Sequence, residues 1–332
     1  MNALNEKTNI GQKFLAGVKQ YLKRNGGILI GLIAICLVVS FRSERFLTYE
    51  NIMNVLRQIA QNVFLASGIT MILIAGGIDL SVGAVVGIIG VIVGTMINAG
   101  MPIPLAIILC LLIGAGIGSI NGLILSRTTL PPFIVTFAMM TILRGATYVF
   151  TGGTTVRIDD RSFIDVGTGY TLGVPNPVWY MLVVLILVYI ILNKTKLGRH
   201  IYAIGGNQKA AEFSGINVKN TRLFVYTFSG IMGALAGIVL AARSYSGAPT
   251  AGNGAEMDAI EAAVLGGCSM AGGYGFIGGT IIGALIIGVM NNGLNLMRID
   301  SYWQMIAKGI IVLIAVYVDY IKNLKKNQKA AG

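Results

Sequence analysis

The chain has 332 residues, of which 55% are apolar and only 11% are charged, and its mean hydropathy is +0.76. Soluble domains carry about 25% charged residues, so this composition excludes an ordinary water-soluble fold and indicates a polytopic membrane protein. The net charge is +12, but the basic residues lie in separate loops without a patch interleaved with aromatic residues, so we expect no nucleic-acid partner.

Hydropathy over a window of about 19 residues predicts an all-α protein with ten apolar segments in the lipid bilayer. The segments are residues 26–43, 57–76, 81–98, 103–126, 132–151, 177–193, 222–243, 257–271, 276–297 and 302–320. The eighth is shorter than the roughly 20 residues that a full span requires, which makes it a candidate for a broken or re-entrant helix. Residues 1–332 then form a single transmembrane domain.

The distribution of lysine predicts the orientation of these segments. If all ten cross the bilayer, the tails at 1–25 and 321–332 and the loop at 194–221 share one side, and all are rich in lysine. The opposite loops contain arginine but no lysine. The positive-inside rule therefore predicts that both termini and the 194–221 loop are cytoplasmic, whereas residues 152–176 lie outside.

The cytoplasmic loop contains a short helical pattern, NQKAAEFSG. Asn207 is a good N-cap residue, and Gly215 is a typical helix stop. A polar helix of two turns cannot bury itself in lipid. It is either a solvated connector or a contact for a protein partner.

Near the end of the second segment, AGGIDLSVG places Gly76, Gly77, Asp79 and Ser81 in an otherwise apolar region. A carboxylate at the bilayer centre costs about 2.5–3.5 kcal/mol, and non-helical backbone is tolerated there only if protein buries it or water reaches it. Asp79 therefore either caps the next helix or lines a wet path. Both roles are compatible in a broken helix that forms a hinge.

A second glycine-rich break starts at Gly266 and Gly267 and continues into the ninth segment. Within that segment Gly279 and Gly283 have the spacing of a helix-packing face. Two roles stay open for this region, namely close helix packing and a moving gate.

The ninth segment ends in VMNNGLNLM, which contains Asn291, Asn292 and Asn295. Asn291 and Asn295 are one helical turn apart and share a face. Amides in lipid need partners, so these residues either hold helices together or line a path with neutral hydrogen-bonding groups. Asn121 and Thr136 are weaker candidates of the same kind.

The sequence contains no motif that indicates catalysis. It has no GxxxxGK[ST] phosphate loop, a single histidine, and three cysteines without metal-site spacing. We therefore expect no cofactor or metal in this chain and no enzymatic activity of its own.

Several stretches together resemble the permease subunits of bacterial ABC importers for monosaccharides, most of all those for ribose. The similarity covers nearly the whole chain. The stretches that carry it are GGIDLSVG, LRGATYVFTGG, LGVPNPVW, LGRHIYAIGGNQKAAEFSGINV, PTAGNGAEMDAIEAAVLGGCSMAGG, NNGLNL and SYWQMIAKGIIVLIAVYVD.

The resemblance implies a type-II-importer-like fold of ten helices in the bacterial cytoplasmic membrane. It implies a second copy of the permease, an external sugar-binding protein, and a cytoplasmic ATPase that binds the ATP and magnesium. It also implies that one part of the cytoplasmic loop docks on the ATPase, and these residues are Gly205, Gly206, Asn207, Ala210, Ala211, Glu212, Ser214 and Gly215.

Two other classes remain. An ion-coupled secondary sugar transporter would need buried charges on its pathway, for which Asp79 and Lys308 are the candidates. A membrane receptor or scaffold would bind a ligand without driving any flux.

Overall fold

The computed structural model describes residue 26, residues 29–300 and 302–307, and positions 309, 310, 313 and 317. The predicted tails at 1–25 and 321–332, and Lys308, lie outside the described residues. Described positions from 302 to 317 are helical.

Helices account for most of the described chain. They are α1 Leu29–Arg42, α2 Tyr49–Ile74, α3 Val82–Asn98, α4 Ile103–Arg127, α5 Pro132–Thr151, α6 Arg161–Thr168, α7 Asn176–Lys194, α8 Lys196–Gly206, α9 Gln208–Phe213, α10 Val218–Ser244, α11 Ala255–Leu265 and α12 Ile277–Leu296. Strand β1 Val156–Arg157 pairs antiparallel with β4 Ser246–Gly247, and β2 Tyr170–Thr171 pairs with β3 Val174–Pro175. The helical prediction is confirmed in this coarse form, although the sequence did not indicate the two-residue strands, α6 or α8.

Five of the described helices, α4, α5, α7, α10 and α12, are long and apolar enough to cross a bilayer. Helices α1 and α3 are apolar but shorter, and α2 begins with polar turns. These spans show a multi-pass membrane protein.

The outer helices present apolar side chains to the surroundings, which is the reverse of a soluble fold. On α5, Phe133, Phe137 and Val149 are 55%, 53% and 86% exposed. In contrast, every residue of α2 from Val63 to Ile74 is buried. Helices α2, α3, α10 and α12 thus form the centre, and the apolar outer faces of α4, α5 and α7 suit contact with lipid.

Helices α4 and α10 pack backbone against backbone. Gly114, Gly118 and Gly122 recur every fourth residue of α4 and form a stripe of small residues along it. A Cβ on Gly118 would overlap the carbonyl oxygen of Tyr226, and one on Gly230 would overlap that of Gly114. Because small residues let helices approach closely in lipid, this stripe fixes α10 in the centre.

The connections gather at two opposite ends of the bundle. At the α9 end, Gly273 N donates to Ile74 O at 2.8 Å, and Arg222 Nη1 donates to Leu125 O. At the α6 end, Tyr49 Oη donates to Gly173 O at 2.6 Å, and β1 pairs with β4. The loops at 152–176 and 194–221 lie at opposite ends of the bundle, and the side of the membrane that each one faces stays a prediction.

The eighth apolar segment is only partly helical. Helix α11 has 11 residues, or about 16 Å at 1.5 Å per residue, which is half of a bilayer core of about 30 Å. Irregular backbone follows from Gly266 to Phe276, with positive φ at Gly267, Gly272 and Gly273. Within this stretch Gly266, Cys268, Ser269 and Gly275 are buried, whereas Met270, Ala271 and Tyr274 are exposed.

The glycine stripe gives a stability test. Gly118→Ala adds a methyl group that overlaps the Tyr226 carbonyl, so we expect a loss of about 1–3 kcal/mol and a lower melting temperature in detergent. Gly116→Ala on the same helix is the control, because nothing lies within 4 Å of a Cβ there. Equal melting temperatures for the two variants would contradict the close packing of α4 and α10.

Candidate functional site

The break between α2 and α3 is built around the Asp79 carboxyl group. Asp79 Oδ1 accepts hydrogen bonds from Ser81 N at 2.9 Å and from Ser81 Oγ at 2.6 Å. Asp79 Oδ2 accepts from Ser229 Oγ at 2.8 Å, near the middle of α10. Ser81 is the N-cap residue of α3, so Asp79 holds the chain in a turn immediately before that helix.

This carboxyl group is buried, with an exposed fraction of 2%. Burying a carboxylate is costly unless hydrogen bonds replace its water, and three donors do so here. Asn121 on α4 extends the network because its Nδ2 donates to Ser81 Oγ at 2.9 Å. The network joins the break to α4 and α10, and in this conformation Asp79 does not face an open path.

Tyr226 holds the same break from a second side. Its hydroxyl donates to Ile78 O at 3.1 Å, and a Cβ on Gly77 would lie 2.6 Å from that hydroxyl. Sequence reasoning missed Tyr226 and Ser229. Their only signal was a polar group inside the apolar run FVYTFSG.

Thr136 lies apart from this network, because its hydroxyl bonds to backbone carbonyls of its own helix. It is buried, and its hydroxyl donates to Pro132 O on its own helix at 3.0 Å. Such a bond satisfies the hydroxyl within α5.

The short helix predicted for residues 207–215 is confirmed. In α9 the Asn207 side chain accepts from Ala210 N at 3.0 Å, and Gly215 has a φ of +79°. Arg222 Nη2 on α10 donates to Gln208 Oε1 at 2.7 Å, which ties α9 to a central helix.

The exposed face of α9 differs from the set of contact residues that the resemblance implied. Ala211 is only 4% exposed and packs with Ile204 and Val218, so it supports the helix instead of offering a contact surface. The neighbouring Phe213 is 93% exposed, although it is a large apolar residue. Of the other positions of the set, Gly205 is half-buried, and the exposed ones are Gly206, Asn207, Ala210, Glu212, Ser214 and Gly215.

Three chain segments meet at a glycine junction, formed by Gly76, Gly205, Gly206, Gly272 and Gly273. A Cβ on Gly205 would overlap Ile74 O, and a Cβ on Gly272 would lie 2.9 Å from the Cα of Gly76. A Cβ on Gly273 would lie 2.9 Å from the Cα of Gly206. The end of α8 is therefore in backbone contact with the end of α2 and with the irregular stretch before α12.

The second glycine-rich break packs α11 against α12. A Cβ on Gly279 would overlap Gly266 O, and one on Gly283 would overlap Ala262 O. The packing role predicted for Gly279 and Gly283 is confirmed. Gly267 has a φ of +88° and open space around it, so it provides the turn.

The three asparagines of α12 have three different environments. Asn292 is buried and forms a reciprocal pair with Asn51 on α2, at 2.8 and 3.0 Å. Asn291 lines a cavity, and Asn295 is exposed and accepts from Gln304 Nε2. Asn292 thus holds two helices together, whereas Asn291 does not share its role with Asn295.

The described part of the chain contains no group of three or more His, Cys, Asp or Glu placed to hold a metal ion. What the breaks contain is irregular backbone at glycines with positive φ and buried side chains that form hydrogen bonds.

A protein-family model matches residues 51–316, and it is described as the permease component of branched-chain amino acid transport systems. No solved structure matches the chain significantly.

Curated relatives match over nearly their full length. The chain is 45% identical to the ribose import permease protein of Haemophilus influenzae over 301 residues, covering 90% of this chain and 93% of that one. It is 45% identical to the Bacillus subtilis protein of the same name, covering 92% and 95%, and 44% identical to that of Escherichia coli K12, covering 88% and 92%. The family model and these relatives are all described as permeases, not as enzymes. The chain therefore belongs to this family of transport-system permease components, and it is a membrane permease rather than an enzyme.

Proposed function

We propose that this chain is the membrane subunit of an ATP-driven importer for a monosaccharide, ribose, in the bacterial cytoplasmic membrane. The observation that carries the proposal is the identity of about 45% to ribose import permeases over about nine tenths of both chains. The buried, neutral hydrogen-bonding groups described above suit a sugar better than an ion.

The proposal includes ten crossings with both termini in the cytoplasm. Helices α1 to α5, α7, α10, α12 and the helical positions from 302 to 317 supply nine, and α11 with its irregular extension supplies the tenth. The lysine-rich loop at 194–221 belongs to the α9 end, so the α9 end is the cytoplasmic one.

In this scheme the partner ATPase binds ATP and magnesium and docks on α9. Phe213 supports the docking because an aromatic side chain exposed to water on a polar helix is a typical interface anchor. A movement of α9 would pass through α8 to the glycine junction, and from there to the end of α2. The assembly would contain two permease copies, with the external sugar-binding protein at the α6 end.

An ion-coupled secondary transporter is the alternative class. It needs a buried group that takes up or releases an ion, and Lys308 lies outside the described residues. Asp79 is buried, but both of its carboxyl oxygens already accept hydrogen bonds from serines. The relatives favour the ATP-driven importer.

The first test separates these classes. In proteoliposomes that contain the permease, its ATPase and the binding protein, we expect uptake of labelled ribose to require ATP and to continue without an ion gradient. Omitting the ATPase should abolish uptake. Uptake driven by a proton or sodium gradient in the absence of the ATPase would instead establish the secondary transporter.

The second test concerns docking through α9. Phe213→Ala should weaken ATPase binding about thirtyfold, which corresponds to about 2 kcal/mol for a buried interface aromatic. Co-purification and titration of the ATPase measure this. Phe41→Ala, which removes an aromatic side chain that is 88% exposed at the other end of the bundle, is the matched control. Equal ATPase binding by both variants would refute docking through Phe213.

The third test asks whether Asp79 acts by hydrogen bonding or by charge. Asn retains an acceptor for Ser81 and can donate to Ser229 Oγ, so Asp79→Asn should keep uptake and melting temperature close to those of the wild type. Asp79→Ala leaves buried donors unpaired, at about 1–3 kcal/mol each, and should lower both. A stable Asp79→Asn variant without uptake would show that the charge itself is needed.

A further inference from the structure

Residues 248–254, which we call the inward segment, connect β4 to α11. Strand β4 lies at the α6 end, and from there the segment runs along α3 toward the N-terminus of that helix. A Cβ on Gly247 of β4 would overlap Gly90 O, and one on Gly252 would overlap Gly83 O. The two α3 contacts, Gly83 and Gly90, are seven positions apart, or about 10 Å at 1.5 Å per residue. The segment therefore reaches from the α6 end into the interior of the bundle.

The Arg144 side chain on α5 holds the inward segment against α3. Its Nη1 donates to Ala251 O at 2.7 Å and, more weakly, to Pro249 O at 3.5 Å. A Cβ on Gly87 would lie 2.8 Å from Ala251 O and 3.1 Å from Arg144 Nη1, so both groups lie directly on the surface of α3. The guanidinium group is half-buried, and the carbonyl oxygens replace part of the water that its charge would otherwise bind.

Glu256, in the first turn of α11, is an acidic neighbour of Arg144. Its side chain is 8% exposed, and a Cβ on Gly83, one turn before Gly87 on α3, would overlap Glu256 Oε2. The two charged groups attract each other, yet within the described residues they do not form a direct ion pair. Nor does any described residue donate a hydrogen bond to Glu256 Oε2. Because a buried carboxylate oxygen without a donor is costly, a conformation in which Arg144 reaches it would be stabilised.

A cavity of about 240 Å³ gives the inward segment room to move. It lies between the segment, α3 and α10, and its lining includes Val86, Gly90, Gly237, Leu240, Thr250 and Ala251. Protein interiors are close-packed, so a segment can change position only where such space exists. The segment itself, APTAGNG, carries no large apolar side chain, and its displacement would therefore draw little apolar surface out of the core.

We propose that the inward segment is a gate on the α6 side of the sugar pathway, and that Arg144 is the positioning residue that sets its state. In the closed state, which is the one described here, Arg144 binds the carbonyl groups of Ala251 and Pro249. In the open state the segment is displaced into the cavity and Arg144 pairs with Glu256. The gate rests on the importer proposed above, in which the α6 end faces the sugar-binding protein.

Arginine suits this role because its guanidinium group carries five N–H donors in a planar fork. It can exchange two carbonyl oxygens for a carboxylate and remain hydrogen-bonded in both states. Neither state then leaves a bare cation in the interior of the membrane, which would be costly. The exchange also supplies the donor that Glu256 Oε2 lacks in the closed state.

The first test measures access to Val86, which is fully buried and would lie 2.8 Å from a Cβ on Gly252. The permease is placed in lipid nanodiscs with its ATPase and binding protein, after its cysteines at 36, 110 and 268 have been replaced by alanine. Val86→Cys should react with a polar thiol reagent at least about tenfold faster during ATP hydrolysis than without ATP, because labelling follows the population of the open state. Val85→Cys is the matched control, since Val85 is 1% exposed, packs against Gly233 of α10, and should stay unreactive in both conditions.

Two substitutions should shift the gate in opposite directions. Arg144→Gln releases the carbonyl groups of the segment, so Val86→Cys should react rapidly even without ATP. Glu256→Gln keeps the shape of the side chain but removes the charge that receives Arg144. In that variant Val86→Cys should stay unreactive during ATP hydrolysis, and uptake of labelled ribose should fall about tenfold. Its melting temperature should not fall, because a buried charge without a direct partner has been removed.

The outcomes separate this proposal from the proposed function. Equal labelling of Val86→Cys with and without ATP, or wild-type uptake by Glu256→Gln, would overturn the gate while the importer stands. A lower melting temperature of Glu256→Gln with unchanged labelling would show a purely structural role for the pair and would also overturn the gate. These results do not depend on whether Arg144→Gln folds. Absence of ATP-driven sugar uptake by the wild-type complex would instead overturn the importer and, with it, the assignment of the gate to its pathway.

Discussion

The contact on which the structure most depends is the backbone-to-backbone meeting of α2, α8 and the stretch before α12. Gly205 and Gly272 have no room for a side chain, because the atoms that a Cβ would meet belong to the backbone of the neighbouring segments. Side chains can absorb a displacement by changing rotamer, but a backbone contact cannot. In the importer proposed above, a movement of α8 would therefore shift the end of α2 directly. The junction would then connect the short polar helix α9, next in the chain, to the interior of the bundle.

The second constraint is the break between α2 and α3, which a movement of the end of α2 would reach next in the proposed importer. Irregular backbone from Gly76 to Ser81 separates α2 from α3, and the Asp79 carboxyl group fastens it to Ser229 on α10. The break is thus a joint with defined partners, not a loose loop. Three hydrogen bonds to the carboxyl group, from Ser81 and Ser229, hold the break in the arrangement seen here.

Hydropathy and local signals predicted the long helices, and the irregular backbone where glycine interrupts them. Asn207 and Gly215 were sufficient to predict α9 because capping is a local property. Hydropathy could not distinguish a face toward lipid from a face toward the core, since both are apolar. For the polar helix α9, capping residues predict where the helix begins and ends but not which face packs on the bundle, so the burial of Ala211 and the exposure of Phe213 were not predictable either. The partners of Asp79 could not be read either, because Ser229 lies 150 residues further along the chain.

The partners of the asparagines of α12 could not be predicted from their spacing either. Their spacing paired Asn291 with Asn295, yet the structure pairs Asn292 with Asn51, from the far end of the chain. Periodicity defines which residues share a face, but it does not say what that face meets. Only the position of α2 decides that Asn291 faces a cavity and Asn292 faces an amide.

The two halves of the central bundle suit different tasks. Toward the α9 end, α11 and α12 meet through glycine and alanine, and α2 joins α12 through two threonine hydroxyls. Toward the α6 end, a pair of amides, Asn51 and Asn292, joins α2 to α12, and a neighbouring cavity is lined by amides, Arg243 and Asp258. Small residues in contact bury little surface each and have no rotamers to rearrange, so such a contact separates at a low cost per residue. A constriction closed by paired charges would have to rehydrate or re-pair them on opening. In the importer proposed above, a neutral, hydroxyl-bearing sugar would pass such a contact without any charge of its own having to leave water.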